Sequence, residues 1–574
     1  MLKEICKRDG RIVAFKPEKI TEAIFKAAQA VGGEDRRLAE KLTEQVIETL
    51  EKNKIEGLIQ AVEDIQDVVD KVLIENGHAR TAKAYILYRD KRTRIREAKS
   101  ELMEVVKDIL LETGERGNDS SWSPQKKMQQ IAVAVSKKYY LDNLLSPEIV
   151  KLYNEGQVYF YGLPYYSKAP ASAFLDLLEL KVAAYKHNIF ELALEAGQFI
   201  RNMQLELHEE LTLVNFDSSF SKYLLHNKAP VTESNLTYAI EIFMQSLTDG
   251  KDSPILPISF NIGLNTSAAG RIVSAALLSS LKSYSNITVV FQSDKKTNRS
   301  PASANYDLYL QALKMAREGK NVYFSFQDSS FNADVIAAYS PGGQRVCLNT
   351  IPNWGSVAAL CINLPMLAYY KQNVDLFLVE LDRLLRTAVL QLIHCLEVLS
   401  HLKAKDLPLL MDKQLSHASC LQKDDNIGRV LRRGSLDIRF YGLKECIFIL
   451  TGCKDLGEPA LLHLSQKLAD HIARRVEQFR NEFNLCFSLS AAPGKAASQY
   501  FDKKNREFMP EKTGDDLPGS KATSGISKWD SLIHASFTGG HLSLLNAEKR
   551  TVDLEAALQE AAALNLGLVR VGRK

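Results

Sequence analysis

The chain is read outward from Ile5–Ile20, ICKRDGRIVAFKPEKI. Two short runs, 3–8 and 11–15, flank Asp9-Gly10, a dipeptide whose members both tolerate positive φ, so a tight β-hairpin is predicted. Pro17 follows, where a first helical turn accepts a residue without an N–H. Ile20, Ile24, Ala27, Ala28 and Val31 then recur at helical spacing until Gly32-Gly33 ends the run. A second helix is expected from about Asp35 to Lys52, with Leu38, Leu42, Val46 and Leu50 on one face. A third carries Val62, Ile65, Val69, Val72 and Leu73 up to Asn76-Gly77. The fourth starts near Ala79 and turns basic at Arg89, Lys91, Arg92, Arg94 and Arg96. A hairpin plus four helices thus forms a unit over residues 1–97.

The same stretch carries a charge pattern. Lys7 and Arg8 sit beside the turn, and Lys19 lies one turn into the next helix. Three cations near a helix N-terminus suit a polyphosphate, because the dipole and free N–H groups add to their attraction. A solvated basic turn gives the same pattern, and the residues alone do not separate the two. No GxxxxGK[ST] motif exists, so no P-loop is expected.

The whole chain has 574 residues, with 73 Lys+Arg against 69 Asp+Glu and a net charge of +4. Hydrophobic residues make up 45%, enough apolar surface to exclude global disorder. No apolar run reaches membrane-spanning length and the first residues are not signal-like, so a cytoplasmic protein without a membrane partner is expected. The weak charge gives no reason to expect a nucleic-acid partner. Eight cysteines, Cys6, Cys347, Cys361, Cys395, Cys420, Cys446, Cys453 and Cys486, include no CxxC pair. They are read as reduced and mostly buried. His394 with His401, and His417 with Cys420, fall short of a metal-ligand set, so no metal site is predicted.

After about Ser100 the pattern becomes α/β. Strands are expected at Ile258–Ile262, Ile287–Phe291, Val322–Phe326, Val357–Leu364, Leu436–Phe440, Ile447–Leu450 and Leu485–Leu489. Long amphipathic helices lie between them, at Val374–Ser400 and Pro459–Phe483. Alternation on this scale predicts a large α/β barrel or sheet over 98–574. The polar stretch Pro510–Lys528 reads as an exposed loop. Gly539-Gly540-His541 reads as a tight turn, and the turn before Lys495, in SAAPGKAA, as a place where N–H groups could hold a phosphate.

Two resemblances sharpen this reading. KRDGRIVAFKPEKI, followed by a four-helix unit ending in AKAYILYRDKR, resembles an ATP-cone, the regulatory domain at the N-terminus of many ribonucleotide reductases. The resemblance implies ATP or dATP as an allosteric effector, with Mg2+ accompanying it. Lys7, Arg8 and Lys19 would hold phosphates, Ile5 and Ile20 would flank the base, and Lys91 would reach in from the last helix. Gln66 stands where some cones have a histidine, and Lys16 where a small polar or acidic residue is common; both bear on base preference.

The rest is similar to the catalytic subunit of anaerobic (class III) ribonucleoside-triphosphate reductase. The segments follow in order: Leu144–Tyr166, Ile258–Val273, Ala304–Leu313, SPGGQR at Ser340–Arg345, CINLPMLA at Cys361–Ala368, GSLDIRFYGLKEC at Gly434–Cys446, NLCFSLSAAPGKAA at Asn484–Ala497, and FTGGHLSL at Phe537–Leu544. That family implies a ten-stranded barrel-like α/β scaffold, deoxyribonucleotide metabolism, and dimers or higher oligomers. Its chemistry passes an unpaired electron from a backbone glycine to a cysteine on a finger loop, and a second cysteine assists.

The sequence departs from the family at those atoms. Its finger segment usually reads SPMGCR, so Gln344 stands at the thiyl position. Ala171-Ser172-Ala173 replaces the family's NCC, and Tyr161, Gly162 and Pro164 replace a histidine and two aspartates. The chain as given ends at Val571-Gly572-Arg573-Lys574, so neither a glycyl radical nor the four-cysteine zinc site is expected. These departures predict a nucleotide-sensing pseudoenzyme, with an intact ribonucleotide reductase as a possible partner. The alternative is an active reductase that uses Cys347 and a radical supplied in trans. Glu445, in GLKEC, is a further candidate acid or base.

Overall fold

The computed structural model describes residues 4–6, 12–52, 60–111, 124–179, 188–225, 232–248, 256–281, 286–332, 336–347, 354–413, 415–453, 459–491, 494–509, 528–546 and 553–572. Its contacts divide the chain into two compact units, Met1–Ala134 and Val135–Lys574.

In the first unit, β1 (Glu4–Cys6) and β2 (Ile12–Ala14) pair antiparallel, with Glu4 opposite Ala14 and Cys6 opposite Ile12. Four helices follow: α1 (Glu18–Gln29), α2 (Arg36–Lys52), α3 (Val62–Glu75) and α4 (Ala79–Leu111). The starts of α2 and α3 have local causes. Asp35 Oδ1 accepts the Leu38 N–H at 3.1 Å, and Asp64 reaches back to the Ala61 N–H at 3.0 Å. Ile20, Ile24, Leu42, Val46, Leu50, Val69, Val72 and Leu73 are buried together with Ala82 and Tyr85 of α4. Arg89 of α4 is salt-bridged at 2.9 Å to both Asp67 and Asp70 of α3. The basic end of α4 continues as helix beyond residue 97, to Leu111.

The second unit is built on a mixed 11-stranded sheet. Its strands are β3 (Val158–Phe160), β4 (Ser172–Leu175), β5 (Glu210–Leu213), β6 (Ile258–Ile262), β7 (Ile287–Ser293), β8 (Val322–Phe326), β11 (Gly355–Asn363), β12 (Ser435–Tyr441), β13 (Phe487–Ser490), β14 (Ser543–Asn546) and β15 (Leu568–Gly572). A separate hairpin consists of β9 (Ala337–Tyr339) and β10 (Arg345–Cys347). β4 to β8 run parallel to one another in sequence order. β11, β12 and β13 are likewise parallel, as are β14 and β15. Antiparallel joints link the sets, β4 with β11 and β8 with β15. β3 adds to β11 antiparallel.

The ladder is open, with β13 and β14 as its ends. Two backbone hydrogen bonds nevertheless cross between β13 and the turn ahead of β14: the Gly539 N–H donates to Leu489 and the Ala491 N–H donates to Gly540. Gly540 has φ +120°, and an added Cβ would meet the Gly343 carbonyl oxygen at 2.1 Å, so this turn requires glycine.

Two expectations change, and a third falls almost wholly outside the described residues. Ile447–Leu450 is helical, inside Leu443–Thr451, because Leu443, Cys446 and Ile447 bury at helical spacing after a left-handed Gly442. The apolar run alone did not distinguish a strand from a buried helix. Burial of the cysteines is narrower than expected: Cys361, Cys395 and Cys446 are buried, Cys347 and Cys453 are half-buried, and Cys420 and Cys486 are exposed. The loop expected at Pro510–Lys528 lies outside the described residues except for Lys528, which opens a helix.

Candidate functional site

One site, for a nucleotide, was expected in the first unit; in the second, only Cys347 and Glu445 were singled out as catalytic candidates. In the first unit Ile20 is buried in the core and Ile5 packs against that core from β1, so the hairpin and the start of α1 meet there. Lys19 is exposed beside Ile20. Gln66 is half-buried on α3, next to the Asp67 that holds Arg89. Lys7 and Arg8 lie outside the described residues, as does the Lys91 side chain.

In the second unit the hairpin β9–β10 docks by individual bonds. Tyr339 N–H donates to Asn261 Oδ1 of β6 at 2.9 Å, while Ser259 Oγ and Asn261 Nδ2 donate to the Tyr339 carbonyl at 3.0 and 3.1 Å. Arg345 N–H donates to Gly539 O at 2.8 Å, and its guanidinium bonds Asn332 Oδ1 and Phe331 O, both at 2.8 Å. The turn Ser340–Gln344 therefore projects inward at the hairpin tip.

Gln344 is 4% exposed and uses both ends of its amide. Nε2 donates to Asp437 Oδ2 at 2.7 Å and to Ser435 Oγ at 3.4 Å, both on β12. Oε1 accepts from Ser172 Oγ of β4 at 3.3 Å. The two positions singled out in SPGGQR and Ala171-Ser172-Ala173, far apart in sequence, thus touch each other. Neither bears sulfur.

Charges surround this contact. Arg439 of β12, 4% exposed on its side chain, forms a bidentate pair with Glu209 and lies 3.5 Å from Asp437. Its guanidinium sits 4.4 Å from the Tyr161 ring centroid. Burial raises the Asp437 carboxyl, opposed by Arg439 and by the Ser435 hydroxyl. Tyr161 is hydrogen-bonded to Cys361 of β11, and burial pushes that thiol up to about 12, so it stays protonated at neutral pH. His208 is driven down to about 4 by burial and is neutral. Its ring closes over Gly162, where an added Cβ would overlap the imidazole at 2.0 Å. The sequence offered no sign of Arg439, Glu209 or Glu210 here, because their roles arise only where β5, β12 and the hairpin converge.

The other candidates sit apart from this contact. Cys347 lies at the end of β10, opposite Ala337. Val346 packs toward Val214 and Ala338, so strand alternation turns Cys347 to the other face. Glu445 occupies the first turn of Leu443–Thr451 and hydrogen-bonds a backbone N–H there, with its carboxyl raised by burial. Lys495 is exposed at the start of the helix Gly494–Phe508, where Gly494 has φ +68°. His394 hydrogen-bonds the Tyr166 hydroxyl at 2.6 Å, and His417 bonds the Leu410 carbonyl at 2.8 Å. Among the described residues no group of three or more His, Cys, Asp or Glu is placed to hold a metal ion, and no helix is long and apolar enough to cross a membrane.

Comparison with known proteins matches residues 3–94 to the ATP cone domain and residues 115–563 to the anaerobic ribonucleoside-triphosphate reductase family. The chain is 23% identical over 556 residues to the anaerobic ribonucleoside-triphosphate reductase of Haemophilus influenzae, covering 86% of this chain and 77% of the relative. Over 116 residues it is 45% identical to the vitamin B12-dependent ribonucleoside-diphosphate reductase of Thermoplasma acidophilum, 19% of this chain and 14% of that one. Among solved structures it resembles the anaerobic ribonucleotide reductase from Thermotoga maritima with dATP bound in the specificity site. The TM-score is 0.62 at 13% identity, covering 83% of this chain and 91% of the other, a likeness of fold.

Proposed function

The chain belongs to the anaerobic ribonucleoside-triphosphate reductase family and carries an N-terminal ATP-cone; from that premise we propose that it senses ATP and dATP without performing the family's radical chemistry. The observation that carries the reading is the Gln344–Ser172 contact. A thiyl radical needs an S–H bond that can exchange hydrogen with carbon, and neither a carboxamide nor a hydroxyl offers one. The amide is moreover committed to Asp437, Ser435 and Ser172, so it braces the hairpin where a reactive group would have to stand free.

In this reading nucleotide binding resides in residues 1–97. Lys7, Arg8, Lys19 and Lys91 neutralise phosphates, Ile5 and Ile20 flank the base, and Gln66 contributes to its selection; the contact of Ile5 with the core around Ile20 supports it. Mg2+ would accompany the nucleotide. Residues 98–574 act as a scaffold whose β13 and β14 ends close into a ten-stranded barrel, supported by the bonds of Gly539 and Ala491 across that gap. Such a scaffold suits a homo-oligomer or a partnership with an intact reductase in the cytoplasm.

Titration calorimetry tests the sensing role. ATP and dATP are expected to bind the full chain, and Lys7→Ala/Arg8→Ala to weaken both; no binding by the wild type overturns it. An anaerobic reductase assay with a radical-activating enzyme tests the chemistry. No deoxynucleotide is expected, and product that disappears in Cys347→Ser would establish the alternative of an active reductase.

A further inference from the structure

In the first unit the buried face of α4 ends on a charge. Ala82 and Tyr85 are buried in the core, and Arg89 follows at the same helical spacing. A single nitrogen of its guanidinium, Nη1, donates to Asp67 Oδ1 and to Asp70 Oδ2 of α3, each at 2.9 Å. The two carboxylates are unequal. Asp67 is 72% exposed, where an ion pair adds little stability, whereas Asp70 is 14% exposed. The other oxygen of Asp70, Oδ1, is buried with no hydrogen-bond partner among the described residues. Arg89 is thus the cation paired with a largely buried carboxylate, and losing it would leave that charge uncompensated.

The tie lies between two positions of the proposed nucleotide site. Gln66 precedes Asp70 by four residues, so the two share one face of α3, one turn apart. On α4, Lys91 follows Arg89 by about half a turn. Rolling or sliding one helix past the other changes the separation of positions 66 and 91. A guanidinium held at once by two carboxylates, three residues apart on α3, opposes both motions.

We propose that Arg89 is a positioning residue for the nucleotide site: bridged to Asp67 and Asp70, it fixes the register of α4 against α3, and so the spacing of Gln66 and Lys91, without itself touching phosphate. The proposal rests on the nucleotide-sensing reading. A direct role for Arg89 has the opposite signature. A phosphate-binding Arg89 would be drawn away from two competing carboxylates, so neutralising them would free the cation and tighten binding. A positioning Arg89 needs those carboxylates. Neutralising them then loosens the two helices and weakens binding, even though removing negative charge favours an anionic ligand.

Titration calorimetry of the full chain with ATP, at a temperature well below the unfolding transition of every variant, tests the sign. Asp67→Asn/Asp70→Asn should weaken binding at least about threefold. Arg89→Met should weaken it similarly, and the combined variant no further, because the three side chains act as one unit. Tighter binding by Asp67→Asn/Asp70→Asn, affinity unchanged in both variants, or losses that simply add, overturns the tie while wild-type binding leaves the sensing reading standing. No binding by the wild type overturns that reading and the tie with it. Should the double variant fail to fold, Asp67→Asn alone decides: weaker binding supports the tie, and equal or tighter binding overturns it.

Discussion

Gln344 ties the hairpin tip to β4 and β12. Its carboxamide donates to Asp437 and accepts from Ser172. Gln344→Ala should cost about 1–3 kcal/mol in urea unfolding, because the buried Asp437 loses its shortest bond across the hairpin. Gln344→Cys should fold yet give no deoxynucleotide in the anaerobic assay, since Ser172 still stands opposite. This residue and its departure from the finger segment SPMGCR were readable from the sequence. What it touches was not: Ser172, Ser435 and Asp437 are 172, 91 and 93 positions away, and no local periodicity reports contacts at that range.

At the scale of elements, regular periodicity carried most of the information. The first three helices show their apolar stripes in sequence, and most of those residues form the buried core, though Val31 and Leu38 are exposed; Leu73 is 0% exposed within it. Leu73→Ala should cost about 2–5 kcal/mol by calorimetry of the first unit's transition, the span depending on how far the site collapses. Short strands fared worse. β4, β5, β14 and β15 have four or five residues each, too few for alternation to stand out, and the buried helix Leu443–Thr451 reads as a strand because both bury continuous apolar runs. The hairpin β9–β10 escapes prediction for a related reason: its place is set by Asn261, Ser259 and Gly539, all remote in sequence.

For the molecule as a whole, the two compact units have separate hydrophobic cores. ATP at about a hundredfold excess over its Kd should stabilise the first unit by about 2.7 kcal/mol and leave the transition of the second where it was, measured by scanning calorimetry. Acid should act on the second unit through His534. That imidazole is 0% exposed, its Nδ1 accepts the Gly567 N–H at 3.1 Å, and its Nε2 bonds Ser543 at 3.1 Å. Burial lowers its pKa well below 6.5, so its contribution is present above 6.5 and is lost as the pH falls below it. The slope of stability against pH below 6.5, from urea titrations, should be shallower in His534→Gln than in the wild type.

The sequence alone determined the hairpin-and-four-helix unit, the α/β character of the rest, and the absence of sulfur at the two marked positions, because turn chemistry, helical spacing and residue identity are local properties. Only the tertiary structure decided that those two positions meet and that Glu209 and Asp437 share Arg439. Contacts between distant strands and the burial of charge exist only once the chain has folded around them.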